Sequence, residues 1–177
     1  MDEIVNHTIL NRAAQFRGWV LNGTVVLERL VDVYLSRHFC YHKEEQEEIM
    51  ELVFAASSGM PFDPKKNLFQ IILKKHHRSF YDENTELIHD IAYIIKQRNI
   101  LAHYLLDRTD AALDRFLKSG EVGFIKFKEV TETIYFTEND IAKITQKIER
   151  CIQIVNGLLP SKEQFENTPS RNKPPTS

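Results

Sequence analysis

Arg98 and His103 stand five positions apart in the stretch RNILAH, near the middle of the chain. Their side chains suit the two halves of one reaction. Histidine exchanges a proton close to neutral pH and can serve as acid or base. Arginine stays charged and holds a phosphate through paired donors while charge grows in a transition state. Asn99, directly after the arginine, offers an amide that can orient the imidazole or donate to a phosphate oxygen. Spacing alone does not single out this stretch, because Arg37 and His42 in RHFCYH repeat it. The elements that carry each pair have to decide.

Those elements are helical by periodicity. From about Asn6 to Phe39, the residues Phe16, Val20, Gly23, Leu27, Leu30 and Tyr34 recur at steps of four and three, which is one face of a long helix. Gly23 falls on that face, where a missing side chain allows close approach by another helix, within the chain or across a dimer. A second helix is predicted from about Lys43 to Ser57, opened by Glu44, Glu45, Glu47 and Glu48 and ended by Ser58-Gly59-Met60-Pro61. Asp63-Pro64 predicts the N-cap and first position of a third helix. That helix carries Leu68, Phe69, Ile72 and Leu73 and finishes in KKHHR.

The fourth helix, from around Asp82 to Asn84 as far as about Leu106, delivers Arg98, Asn99 and His103. Its stripe is Leu87, Ile91, Ile94, Ile95, Leu101, Ala102 and Leu105. A short helix over Thr109 to Ser119 stops at Gly120. VGFIKFKEV and TETIYF, rich in aromatic and β-branched residues, predict a hairpin. Thr137 with Asp140 predicts a capping box for the last helix, whose stripe runs from Ile141 to Leu158. The expected fold class is therefore all-α. It is an antiparallel helical bundle of about five helices with a small β-hairpin insert before the last, one domain over residues 1–159. The polar, proline-bearing stretch 160–177 is expected to be a disordered tail.

A chain of 177 residues with 42% hydrophobic and 27% charged residues is long enough for one core. A net charge of −2 produces no overall field that would collect polyanions, so nucleic-acid binding requires a local patch. Cys40 and Cys151 are far apart and in no metal-ligand spacing, which fits buried thiols in a reducing compartment. MDEIVNHTILNR carries acids and no apolar block, so a signal peptide is not expected, and no run approaches the roughly 18 apolar residues of a membrane helix. A cytoplasmic protein with no membrane contact is expected. The chain has no glycine-rich phosphate loop, His-Glu-x-x-His, paired Cys-x-x-Cys or Gly-x-Ser-x-Gly, which argues against a conventional nucleotide hydrolase or zinc protease.

A helical chain in which a long apolar helix, LIHDIAYIIKQ, ends in Arg-Asn-x-x-Ala-His resembles the HEPN superfamily. The hallmark of that superfamily is an arginine followed after four to six residues by a histidine, often with a polar residue after the arginine. RNILAH meets it with four intervening residues and Asn99 in the polar place, whereas RHFCYH lacks the asparagine. As architecture the resemblance covers roughly residues 6–159. It implies metal-independent cleavage of RNA across a dimer interface, in toxin–antitoxin or phage-defence settings, with an antitoxin or other regulatory protein as a further partner. Arg98 would stabilise the phosphate, His103 would act as acid or base, and Asn99 and Glu28 would position them. The superfamily often carries an acidic residue in the first helix near the arginine, for which Glu28 is the candidate and Asp32, one turn on, a lower-ranked second. One toxin branch has a tyrosine two places after the histidine. Here Tyr104 follows it directly, a departure from that branch.

On a regular helix Asn99 and His103 share a face, and Arg98 must reach around it. Lys74, Lys75 and Arg78 in KKHHR are candidate RNA contacts through phosphate; as a helix end they equally complement the dipole. His38, Cys40 and His42 invite a zinc reading because the two histidines are four apart on a helix, but nothing supplies that pair with a clear third and fourth ligand, so neither metal nor cofactor is expected. Trp19, with the Phe16 and Tyr34 stripe, is expected in the core or an interface. The alternative to a nuclease is a non-catalytic helical interaction module that holds a partner protein or a nucleotide in the same cleft.

Overall fold

One long helix, α1 (Asp2–Cys40), is the element against which most others pack. The computed structural model describes residues 2–40, 43–55, 59–127 and 131–159. Within them α1 is followed by α2 (Glu44–Ala55), α3 (Phe62–His76), α4 (Arg78–Glu83) and α5 (Leu87–His103). Then come β1 (Leu105–Leu106), α6 (Asp110–Ser119), β2 (Val122–Lys126), β3 (Glu132–Phe136) and α7 (Glu138–Leu158). The chain is mostly helical, with one small three-stranded antiparallel sheet in the order β1-β2-β3.

The core forms where the apolar faces meet. Phe16, Val20, Leu27, Val31 and Leu35 of α1 are fully buried, against Ile91, Ile94 and Leu101 of α5 and Ile144, Cys151 and Val155 of α7. Val122 and Phe124 of β2 close the same cluster from the sheet. Burying each large side chain contributes about 1.5–3 kcal/mol, more than helix propensity supplies. Gly23 lies where α1 meets α7. A Cβ built there would be 2.9 Å from Ile148 Cγ2.

Local stop signals set several boundaries. Thr109 accepts a hydrogen bond from the Ala112 amide at the start of α6, and Gly120, with φ 70°, takes the left-handed conformation after its end. Thr137 and Asp140 exchange side-chain and backbone bonds as a capping box on α7.

Other boundaries differ from the sequence expectation. Helix α3 begins at Phe62, with Pro61 in extended backbone at the N-cap, and Asp63 falls in the first turn instead of capping it. Burial of Phe62 draws that residue into the helix. His77 interrupts the helical run, so Arg78–Glu83 forms a separate short helix and α5 starts only at Leu87. That extra element added to the six helical segments read from the sequence gives seven helices among the described residues, more than the bundle of about five expected. At its other end α5 stops at His103, because Leu105 and Leu106 pair with Ile125 and Phe124 of β2. A short apolar run reads alike as helix or strand by periodicity, which is why β1 is hidden in the stripe. Trp19 is 52% exposed and is not a core residue.

Ser57, Ser58, His42 and the tail 160–177 lie outside the described residues. No helix among the described residues is long and apolar enough to cross a membrane.

The two glycines of α1 separate propensity from packing. A Cβ at Gly18 meets nothing within 4 Å. Gly18→Ala should raise unfolding free energy by about 1 kcal/mol, the helix-propensity difference, in guanidinium denaturation. Gly23→Ala should lower it, since the branched Ile148 side chain has to move.

Candidate functional site

Glu28 and Asp32 are one turn apart on α1 and project toward α3, where Lys65 is 2% exposed. Lys65 Nζ donates to Glu28 Oε1 at 2.7 Å and to Asp32 Oδ2 at 3.0 Å, and lies 2.9 Å from Asp32 Oδ1. A buried ammonium is costly unless carboxylates surround it. Burial pushes the Asp32 carboxyl above its ordinary value, and the Lys65 bond opposes that shift without cancelling it.

This trio forms one wall of a cavity of about 560 Å³. Arg98 and Asn99 of α5 form another, with Phe54, Phe62 and Ile95 as apolar lining. Arg98 Nη1 donates to Asn99 Oδ1 at 3.1 Å. Arg29 at the rim pairs with Glu51 of α2. The cavity thus joins a half-buried guanidinium, an amide and the Glu28 carboxylate, a set that can hold an anionic group beside a proton acceptor.

His103 is exposed at the last position of α5 and does not line that cavity. It lines a neighbouring depression of about 470 Å³ together with Asn99, Tyr104, Lys126 and Phe127. Between the two is a third hollow of about 550 Å³, which Asn99 also lines with Lys96, Tyr104 and Lys126. Asn99 is common to all three.

The C-terminal carbonyls beside His103 are held from α1. Arg17 Nε donates to the Leu101 carbonyl at 2.9 Å and Nη2 to the Tyr104 carbonyl at 2.8 Å. Its guanidinium carbon lies 5.2 Å from the centre of the Phe124 ring. A charged donor on carbonyls that the helix leaves unpaired is favourable both as a hydrogen bond and against the dipole.

The other sequence candidates are elsewhere. Lys74, Lys75 and Arg78 line none of the three concavities. Lys74 lies over the Tyr81 ring at 5.2 Å, and Arg78 donates to Asp82 at 2.9 Å. Nearby, the His38 and His76 rings are 5.1 Å apart, and His77 packs edge-on to Tyr34. Arg37 of the second Arg-x4-His stretch pairs with Glu47, and its partner His42 is among the residues not described. Among the described residues no group of three His, Cys, Asp or Glu side chains could hold a metal ion.

Sequence reasoning missed Lys65 and Arg17 and ranked Asp32 below Glu28. For Lys65 a signal existed: positions 62, 65, 69 and 72 are spaced as the buried face of α3, and a lysine occupies one of them. The chain matches no family model, no curated protein and no solved structure.

Two stability measurements probe this arrangement. Lys65→Met strands two carboxylates, one of them buried, and should cost about 3–5 kcal/mol in urea denaturation. Adding Asp32→Leu should recover most of it. The second concerns pH. Burial, then the neighbouring histidines, hold His38 and His77 below the usual 6.5. Below that pH the unfolded chain takes up protons that the folded chain resists, so stability is full above 6.5 and falls as pH drops beneath it. The denaturation midpoint should therefore be lower at pH 5.5 than at pH 7.5, and a His38→Asn, His77→Asn double variant should show a smaller drop. Raised Asp32 acts in the opposite sense nearer its own range.

Proposed function

We propose that this chain is a HEPN-like domain, an antiparallel helical bundle with the β2–β3 hairpin inserted before the last helix, acting as a metal-independent endoribonuclease. The observation that carries this reading is the placement of Asn99. It is shared by the cavity that holds Arg98 and Glu28 and by the depression that holds His103. A polynucleotide laid across Asn99 meets the guanidinium on one side and the imidazole on the other. Arg98 then holds the scissile phosphate, and His103 takes the proton from the attacking 2′-hydroxyl or returns one to the departing 5′-oxygen. Asn99 and Glu28 position them.

The working form is a homodimer. Ile49, Leu52 and Val53 follow one another along α2 as an exposed apolar row, and exposed Val25 and Met60 line the adjacent cavity. A second copy placed there brings a second set of these residues to the same cleft. A regulatory partner of the antitoxin kind would compete for that face. The two buried free thiols suit a reducing, cytoplasmic setting in a toxin–antitoxin or phage-defence role.

A second reading is a non-catalytic module that holds a partner protein or a nucleotide in the Arg98 cavity. The separation of His103 from that cavity favours it.

Purified protein incubated with mixed RNA in excess chelator distinguishes the two. Wild type should cleave, and His103→Ala should lose cleavage by two or more orders of magnitude with fold and oligomeric state unchanged. Arg98→Ala should lose it comparably. Undiminished cleavage by His103→Ala would overturn the mechanism, and absence of turnover in the wild type would leave the binding module.

A further inference from the structure

Phe127 is 66% exposed at the end of β2, beside Lys126 and at the edge of the His103 depression. A phenylalanine ring exposed to that extent contributes little to the core and leaves a face open to an apolar group of a ligand. Lys126 holds its ammonium 5.7 Å from the centre of the Tyr104 ring, next to that phenylalanine. Lys126 and Tyr104 line both the middle hollow and the His103 depression, which therefore run into one another along the last turns of α5. Lys96 lines the far hollow and His103 the near one. Asp63 and Glu132, the latter opposite Lys126 across the strands, are the acids on the same path.

Cations interleaved with an exposed aromatic ring along a shallow groove are what an unpaired nucleic-acid strand requires. The ring accepts a base by stacking, whatever its identity, and the lysines follow the backbone. A duplex would keep its bases hidden from Phe127. We propose that the groove from Lys96 through Tyr104 and Lys126 to Phe127 binds single-stranded RNA, with Phe127 stacking a base and Lys126 and Lys96 contacting phosphates. The choice of RNA over DNA rests on the nuclease reading above; the groove itself does not. The basic end at Lys74 to Arg78 is the weaker contender, because none of its three cations lines these hollows and Arg78 is held in an ion pair with Asp82.

The test is fluorescence anisotropy on the full chain with a labelled 2′-O-methyl oligouridylate, which lacks the attacking hydroxyl and stays intact. Phe127→Ala should weaken binding at least about fivefold, the lower end for loss of one base–aromatic stack. Lys126→Ala should reduce the slope of log affinity against log salt by about 0.7, the value of one phosphate contact on a single strand. Lys118→Ala on α6 should change neither quantity, and equal melting temperatures check that all variants fold. If the wild type binds and Phe127→Ala and Lys126→Ala match it in affinity and salt slope, the groove is wrong, even where cleavage of ordinary RNA continues. Groove-dependent binding without any cleavage sustains the groove and removes the nuclease reading. A wild type that neither binds nor cleaves overturns both.

Discussion

A lysine ammonium with almost no access to water constrains this fold more than any other group. Lys65 is buried with its Nζ against two carboxylates, Glu28 and Asp32, that approach it from α1. That requirement sets the rotation of α1 and α3 about their axes and the distance between them. The cavity beside Arg98 follows from it, since one of its walls is the trio itself. Apolar replacements of similar size would pack without the electrostatic penalty. Such a core would have neither the Glu28 carboxylate in the cavity that Arg98 also lines nor the raised Asp32 beside it.

The second constraint acts at the other end of the site. Helix α5 has to end where it does for His103 to be exposed. Arg17 bonds to carbonyls on both sides of that residue, and β1 takes up the chain two positions later. Cavity and depression are therefore tied to α1 by different contacts, the Lys65 bonds to Glu28 and Asp32 for one and the Arg17 bonds for the other. Asn99, on the helix between them, belongs to both.

The helical character and the long apolar faces are legible in the sequence because burial on one side of a helix leaves a repeating pattern. The stop at Gly120 and the start at Thr137 are legible for a different reason: their chemistry is local. Boundaries that depend on distant partners are not. Leu105 and Leu106 continue the α5 stripe until β2 claims them, and Trp19 carries no mark of the exposed side it occupies. For the site, Arg98, Asn99 and Glu28 converge on one cavity, as their residue types invite, while His103 faces a different hollow. Arg17 could not be singled out, since its role arises from carbonyls 84 and 87 positions away.

The passage from helix to strand at Tyr104 has a further implication. One residue separates the last helical position from the first paired one. Inserting or deleting a residue there would turn the imidazole by about 100° around the helix or move Leu105 and Leu106 to the opposite face of the sheet. Length variation in this chain is thus barred at the one place where it would be easiest to accommodate in a loop. The stretch from Arg98 to Leu106 has to be inherited as a unit of fixed length, whatever drifts around it.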